Sequence, residues 1–101
     1  MKTLTIVLVA LLLLLSAVTR ADATSDFAAL LEEHWEWTLR NSPTFASSLG
    51  DHRFDDQWRD ESPTAYETRH EETREFLRRV YAIERTALSD ADQLNYELFR
   101  R

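Results

Sequence analysis

The chain contains no cysteine. Disulfides therefore add nothing to its stability, and cysteine nucleophiles and thiolate metal ligands are excluded. Small exported domains commonly use such staples, because a core of this size alone rarely supplies more than ~3–5 kcal/mol. Their absence predicts a native unit enlarged by further chain or by oligomerisation. Glycine occurs once, at Gly50, and proline twice, at Pro43 and Pro63, so strong breakers of regular structure are scarce. Lysine also occurs once, at Lys2, and all other Lys/Arg-type cations are arginine. The formal net charge is −6. No basic face is available for phosphate contacts, which argues against nucleic acid as a partner. No polybasic stretch is present to hold anionic lipid either.

What is present begins with a greasy amino terminus. Lys2 gives a short positive region, and residues 5–18, TIVLVALLLLLSAV, form an uncharged apolar core. Ala21-Asp22-Ala23 then places small residues at the two positions that a signal peptidase reads. A spanning helix needs about 20 apolar residues, and Arg20 ends this run too early. Residues 1–23 read as a cleaved signal peptide, leaving Thr24–Arg101 as a secreted or periplasmic chain with no stable membrane anchor. All the aromatic residues lie in that remaining part.

Thr24–Arg101 reads as all-α, with three main helices and a short one. Thr24, Ser25 and Asp26 all favour a helix N-cap, which predicts a first helix from there to Asn41. At ~100° per residue its apolar positions, Phe27, Ala28, Leu30, Leu31, Trp35, Trp37 and Leu39, spread over about 200°. That arc is wider than the stripe of a little over ~100° that a surface helix buries, so the helix expects neighbours on two sides. Pro43 ends it and opens a short second helix with Ser42 as cap. Phe45, Ala46 and Leu49 are its inward candidates, and Gly50 is placed to form a left-handed C-cap. The polar stretch Asp51–Glu61 reads as an irregular loop anchored by Phe54 and Trp58. Ser62-Pro63 starts what reads as the longest helix, to about Leu88, with Tyr66, Phe76, Leu77, Val80, Tyr81, Ile83 and Ala87 on its apolar side. Glu71–Arg74, Glu75–Arg78 and Glu75–Arg79 would pair along its solvated face. Ser89 with Asp92 starts a last helix in a variant of the capping box. Its new apolar pattern, Leu94, Leu98 and Phe99, breaks off at Arg101 with no stop signal. This predicts that the helical segment continues into a larger domain.

None of the reactive side chains falls into a catalytic pattern. His70-Glu71 begins the His-Glu-x-x-His spacing of a zinc peptidase helix, but Arg74 stands where the second imidazole belongs, and a cation there repels metal. His34 lies near the apolar arc and reads as a packed residue. The run Asp51-His52-Arg53-Phe54-Asp55-Asp56 gathers three carboxylates, yet lacks the alternating ligands and turn glycine of a calcium loop. Its carboxylates are better suited to pairing with Arg53 or Arg59. No serine carries a nucleophile signature. The expectation is therefore no catalytic, cofactor or metal residue within this chain.

Several runs nonetheless carry a likeness. They are the first helix around Trp35 and Trp37, the stretch Pro43–Ala46, the run Leu49-Gly50-Asp51-His52-Arg53-Phe54-Asp55, and Leu88-Ser89 followed by Asp92-Gln93-Leu94-Asn95-Tyr96. In order and spacing the chain from Phe27 onward resembles the start of the domain-of-unknown-function 885 family. The resemblance implies a mostly helical, exported protein several times longer, related to zincin-type metallopeptidases. Its zinc would sit on a His-Glu motif and a nearby Gly-His far downstream, none of which this chain contains. The leading expectation is a non-catalytic N-terminal helical segment that packs on a catalytic body, with Trp37, Phe54, Trp58 and Phe99 as candidate contacts. The alternative is a complete small secreted helical protein acting by self-association or protein binding.

Overall fold

The computed structural model describes residues 1–101 and contains helices and no strands. Helix α1 spans Lys2–Asn41, α2 Pro43–Ser48, α3 Pro63–Ala82 and α4 Asp90–Phe99, with a short 3-10 turn at Arg85–Ala87 between the last two. The protein is all-α, with three longer helices and one short one, as the residue pattern predicts.

Two boundaries differ from expectation. The first helix does not start at Thr24–Asp26 but runs unbroken from Lys2, which makes α1 the longest helix. No glycine or proline interrupts residues 2–41. Thr, Ser and Asp favour caps, but each costs only tenths of a kcal/mol inside a helix. α3 in turn ends at Ala82, several residues short of Leu88. The Ile83 amide bonds the Val80 carbonyl (3.1 Å), tightening the last turn, and Glu84 is extended. Leu88 leaves the 3-10 turn in extended conformation and is buried, its carbonyl accepting the Gln93 side-chain amide at 3.0 Å.

The remaining punctuation follows the sequence. Pro43 sits in the first turn of α2, although the Ser42 side chain makes no capping bond there. Gly50 has φ +87°. Its amide bonds the Ser47 carbonyl (3.0 Å) and the Asp51 amide bonds that of Ala46 (2.9 Å), the paired pattern of a Schellman C-cap. The Ala65 amide donates to the Ser62 hydroxyl at the start of α3, and the Asp92 amide donates to that of Ser89 at the start of α4 (both 3.2 Å). Because a Cβ at Gly50 would meet no atom within 4 Å, Gly50→Ala tests backbone strain alone. It should lower unfolding free energy by about 1–2 kcal/mol, read from the urea midpoint at unchanged m-value.

The chain divides into two compact units. In the unit of residues 29–79, Leu30, Leu39 and Ala46 are buried. The two tryptophans of α1 diverge as their spacing predicts. Trp37 meets the Phe76 ring of α3 edge-on (5.7 Å), and Trp35 meets Phe45 of α2 (6.2 Å). Phe45 and Leu49 are nevertheless exposed, contrary to the inward placement expected for them. A six-residue helix buries one narrow strip, here Pro43 and Ala46 three positions apart. Arg79 pairs with Glu33 of α1 rather than with Glu75, whereas Glu75–Arg78 and Glu71–Arg74 form as expected.

The other unit comprises residues 1–28 with 80–101. Phe27 and Tyr96 rings lie 6.3 Å apart, tilted by 48°, and Val80 and Leu88 are buried. Arg85 and Arg100 both bond the Glu97 carboxylate, at 2.8 and 2.7 Å. Among the predicted apolar positions of α3, Val80 is buried, while Tyr66 and Tyr81 are exposed. α4 buries Tyr96 and leaves Leu94 and Leu98 in solvent. Residues 4–18 are exposed along their whole length, and the first part of α1 is long and apolar enough to cross a membrane, with a mean hydropathy of 2.4.

Candidate functional site

In the unit of residues 29–79 a cleft of about 490 Å³ lies between the end of α1 and the start of α3. Local sequence builds both walls. Pro43 halts α1 just beyond Trp37, Arg40 and Asn41, and the Asn41 amide ties back to the Trp37 carbonyl at 2.8 Å. Opposite, Asp60 accepts the Ser62 amide (2.9 Å), turning the chain into α3. Trp37 faces this cleft with its indole N–H already donated to the Glu72 carboxylate at 2.5 Å.

Arg69 is the unusual member. It is 8% exposed, on the inward helix face that also carries Ala65, Phe76 and Val80. Its Nη1 donates to the Asp60 carbonyl at 2.6 Å, but Nη2 is buried without a hydrogen-bond partner. The Glu61 carboxylate stands 3.9 Å from that nitrogen, beyond hydrogen-bond range, and also meets Arg59 at 3.2 Å. An unsatisfied buried donor of this kind costs about 1–3 kcal/mol, more when charged. Sequence reasoning missed Arg69 because it is charged, although it stands seven and eleven residues before Phe76 and Val80 and so shares their helical face. Its burial depends on residues 60–62 folding back beside it.

Of the four residues expected to contact a body or partner, Trp37, Phe54 and Trp58 belong to one unit and Phe99 to the other. Trp37 is half-buried, stacked on His34 (5.6 Å between ring centres) and edge-on to Phe76. Phe54 is half-buried under the Arg53 guanidinium, 5.1 Å from its ring centre. Trp58 is 86% exposed and anchors nothing in the loop, contrary to expectation. Phe99 is half-buried near the end of α4.

The acidic loop is held by its own cations. Arg53 forks onto Glu36 of α1 (2.9 and 3.1 Å) and onto Asp51 (2.7 Å). Those bonds hold the Glu36 and Asp51 carboxyls below their usual range. Asp55 accepts from the Ser47 hydroxyl and pairs with His52, and the hydroxyl bond comes first in lowering its pKa. No group of three or more His, Asp or Glu side chains stands close enough to hold a metal ion.

His34 is packed, as its position on the apolar arc suggests, edge-on to Phe76 at 5.1 Å. Burial lowers its pKa, so the folded state favours the neutral ring. The unfolded chain binds that proton at the ordinary ~6.5. Stability contributed by the neutral ring is therefore complete above that value and declines as pH falls toward the lower folded pKa. The melting temperature should drop between pH 7 and 5.5, and His34→Gln should flatten that part of the profile.

A helical scaffold with an arginine-bearing cleft is thus what the fold defines. Residues 43–101 match the family described as "Bacterial protein of unknown function (DUF885)", and the chain belongs to it. The match begins at Pro43, so the aromatic stretch Phe27–Asn41 lies outside it. No curated protein and no solved structure matches the chain.

Proposed function

We propose that this chain is a non-catalytic helical module of an exported protein and docks through exposed aromatic and aliphatic side chains onto a larger, hydrolase-like body. The observation that carries this reading is the apolar surface outside the leader. Trp58 is 86% exposed, and Trp35, Phe45 and Leu49 add a second exposed apolar group at 46%, 43% and 54%. Clustered exposure of that kind marks an interaction surface, whereas single exposed hydrophobes do not. A zincin-like relation would place the chemistry, and any zinc, in that body. His70-Glu71 with Arg74 offers no metal pair here.

The module reading predicts that Trp58→Ala leaves the stability of this chain within about 0.5 kcal/mol. The processed chain by itself should bind a dye that reports exposed apolar surface while still folded. A folded chain that binds no such dye would count against docking. Peptidase assays with added zinc should show no turnover. A second reading, self-association, is favoured by Leu94 and Leu98, exposed one turn apart on α4 at 62% and 59%. It predicts a melting temperature that rises with protein concentration.

The apolar start of α1 is compatible with a signal sequence. In our reading it is removed after Ala23. Amino-terminal sequencing of exported protein should begin at Thr24, and full-length chain retained in the membrane would overturn that assignment.

A further inference from the structure

We infer that the Arg69 cleft is a binding site for a monoanionic carboxylate that carries an apolar group. A guanidinium presents a planar fork matched to carboxylate oxygens. In Arg69 one prong, Nη1, is spent on the Asp60 carbonyl at 2.6 Å, while Nη2 has no hydrogen-bond partner and only the distant Glu61 carboxylate at 3.9 Å. The side chain is 10% exposed and lines a cleft of about 490 Å³, within the size range of small-molecule sites. Arg40 adds a second cation at the same cleft, and Trp37 supplies an apolar wall. Its indole N–H is already engaged by Glu72, so the ring offers packing rather than a further donor.

The charges favour one negative charge over two. Glu72 and Asp60 also line the cleft, and their carboxylates would repel a phosphate dianion more strongly than a carboxylate. Glu61 is the movable part. Its side chain is 71% exposed, and its oxygen stops 3.9 Å short of Nη2. A ligand carboxylate takes the position that Glu61 approaches but does not reach, and Glu61 swings outward as it enters.

The test is isothermal titration of the full chain, purified in mild detergent, with phenylacetate, N-acetylphenylalanine, N-acetylphenylalanine amide and inorganic phosphate. Both acids should bind measurably, the amide and phosphate at least tenfold more weakly. Tighter binding of phenylacetate identifies a free small acid as the natural class, and tighter binding of the acylated amino acid identifies a peptide carboxyl terminus. Arg69→Lys, which keeps the charge and loses the fork, should weaken the acids by about tenfold or more. Glu61→Gln, at an exposed position, should tighten them roughly threefold by removing the competing charge. Should Arg69→Lys fail to fold, Arg40→Gln at the exposed rim reports instead, with an expected loss of about threefold. Equal binding of acid and amide, tighter binding of phosphate, or affinities unmoved by Glu61→Gln and Arg40→Gln would overturn the assignment.

Discussion

Replacing Phe27 with alanine should cost the fold about 3–5 kcal/mol, the range for removing a buried aromatic ring. Phe27 is 1% exposed and packs against Tyr96 at 6.3 Å. Total stabilities of native domains are about 5–15 kcal/mol, so a loss of this size removes a large share of them. The check is urea unfolding followed by near-ultraviolet circular dichroism, with Tyr96→Ala and the double variant completing a cycle. Because the two rings touch, their losses should be less than additive, whereas independent losses would show that the ring pair contributes nothing beyond area.

The second large effect is expected at Val80, which is wholly buried. Val80→Asp places a carboxylate where no water reaches and no partner has been built. An uncompensated buried charge costs roughly 3–5 kcal/mol. The pH dependence identifies the cause. Burial raises the pKa of a carboxyl in the folded state above its unfolded value, so the variant should regain stability as pH falls and the group becomes neutral. Val80→Asn, which cannot ionise, should lack that recovery. A Val80→Asp variant equally unstable at pH 4 and pH 7 would point to lost packing rather than to charge.

The fold class was legible because helix signals here are local. Pro43, Pro63, Gly50 and Ser89 each set an end through their own backbone chemistry, and each end appears where that chemistry places it. In the uncleaved chain α1 arrives from Lys2 and overrides the capping preferences of Thr24, Ser25 and Asp26, with no glycine or proline to stop it. The divergence of Trp35 and Trp37 was legible from angular spacing alone. Burial was less legible. Trp58, Tyr66 and Leu94 are apolar by type but exposed by place, and Arg69 is charged by type but buried by place. The exposed apolar positions depend on which elements pack beside each helix, information that periodicity within a single helix does not contain, whereas Arg69 shares the helical face of Phe76 and Val80 and was passed over for its charge. Of the cleft, only Trp37 was visible in advance.

The cations that fasten separate segments are all arginines, with Arg53 on Glu36, Arg79 on Glu33 and Arg85 on Glu97. Bonds to the Asp51 and Glu36 carboxylates push the Arg53 pKa still higher, and the bond to Glu33 does the same for Arg79. A lysine in such a place would shed its proton at about 10.4 and release its segment. These clasps instead stay fastened in strongly alkaline solution, and reagents that acylate amines leave them untouched.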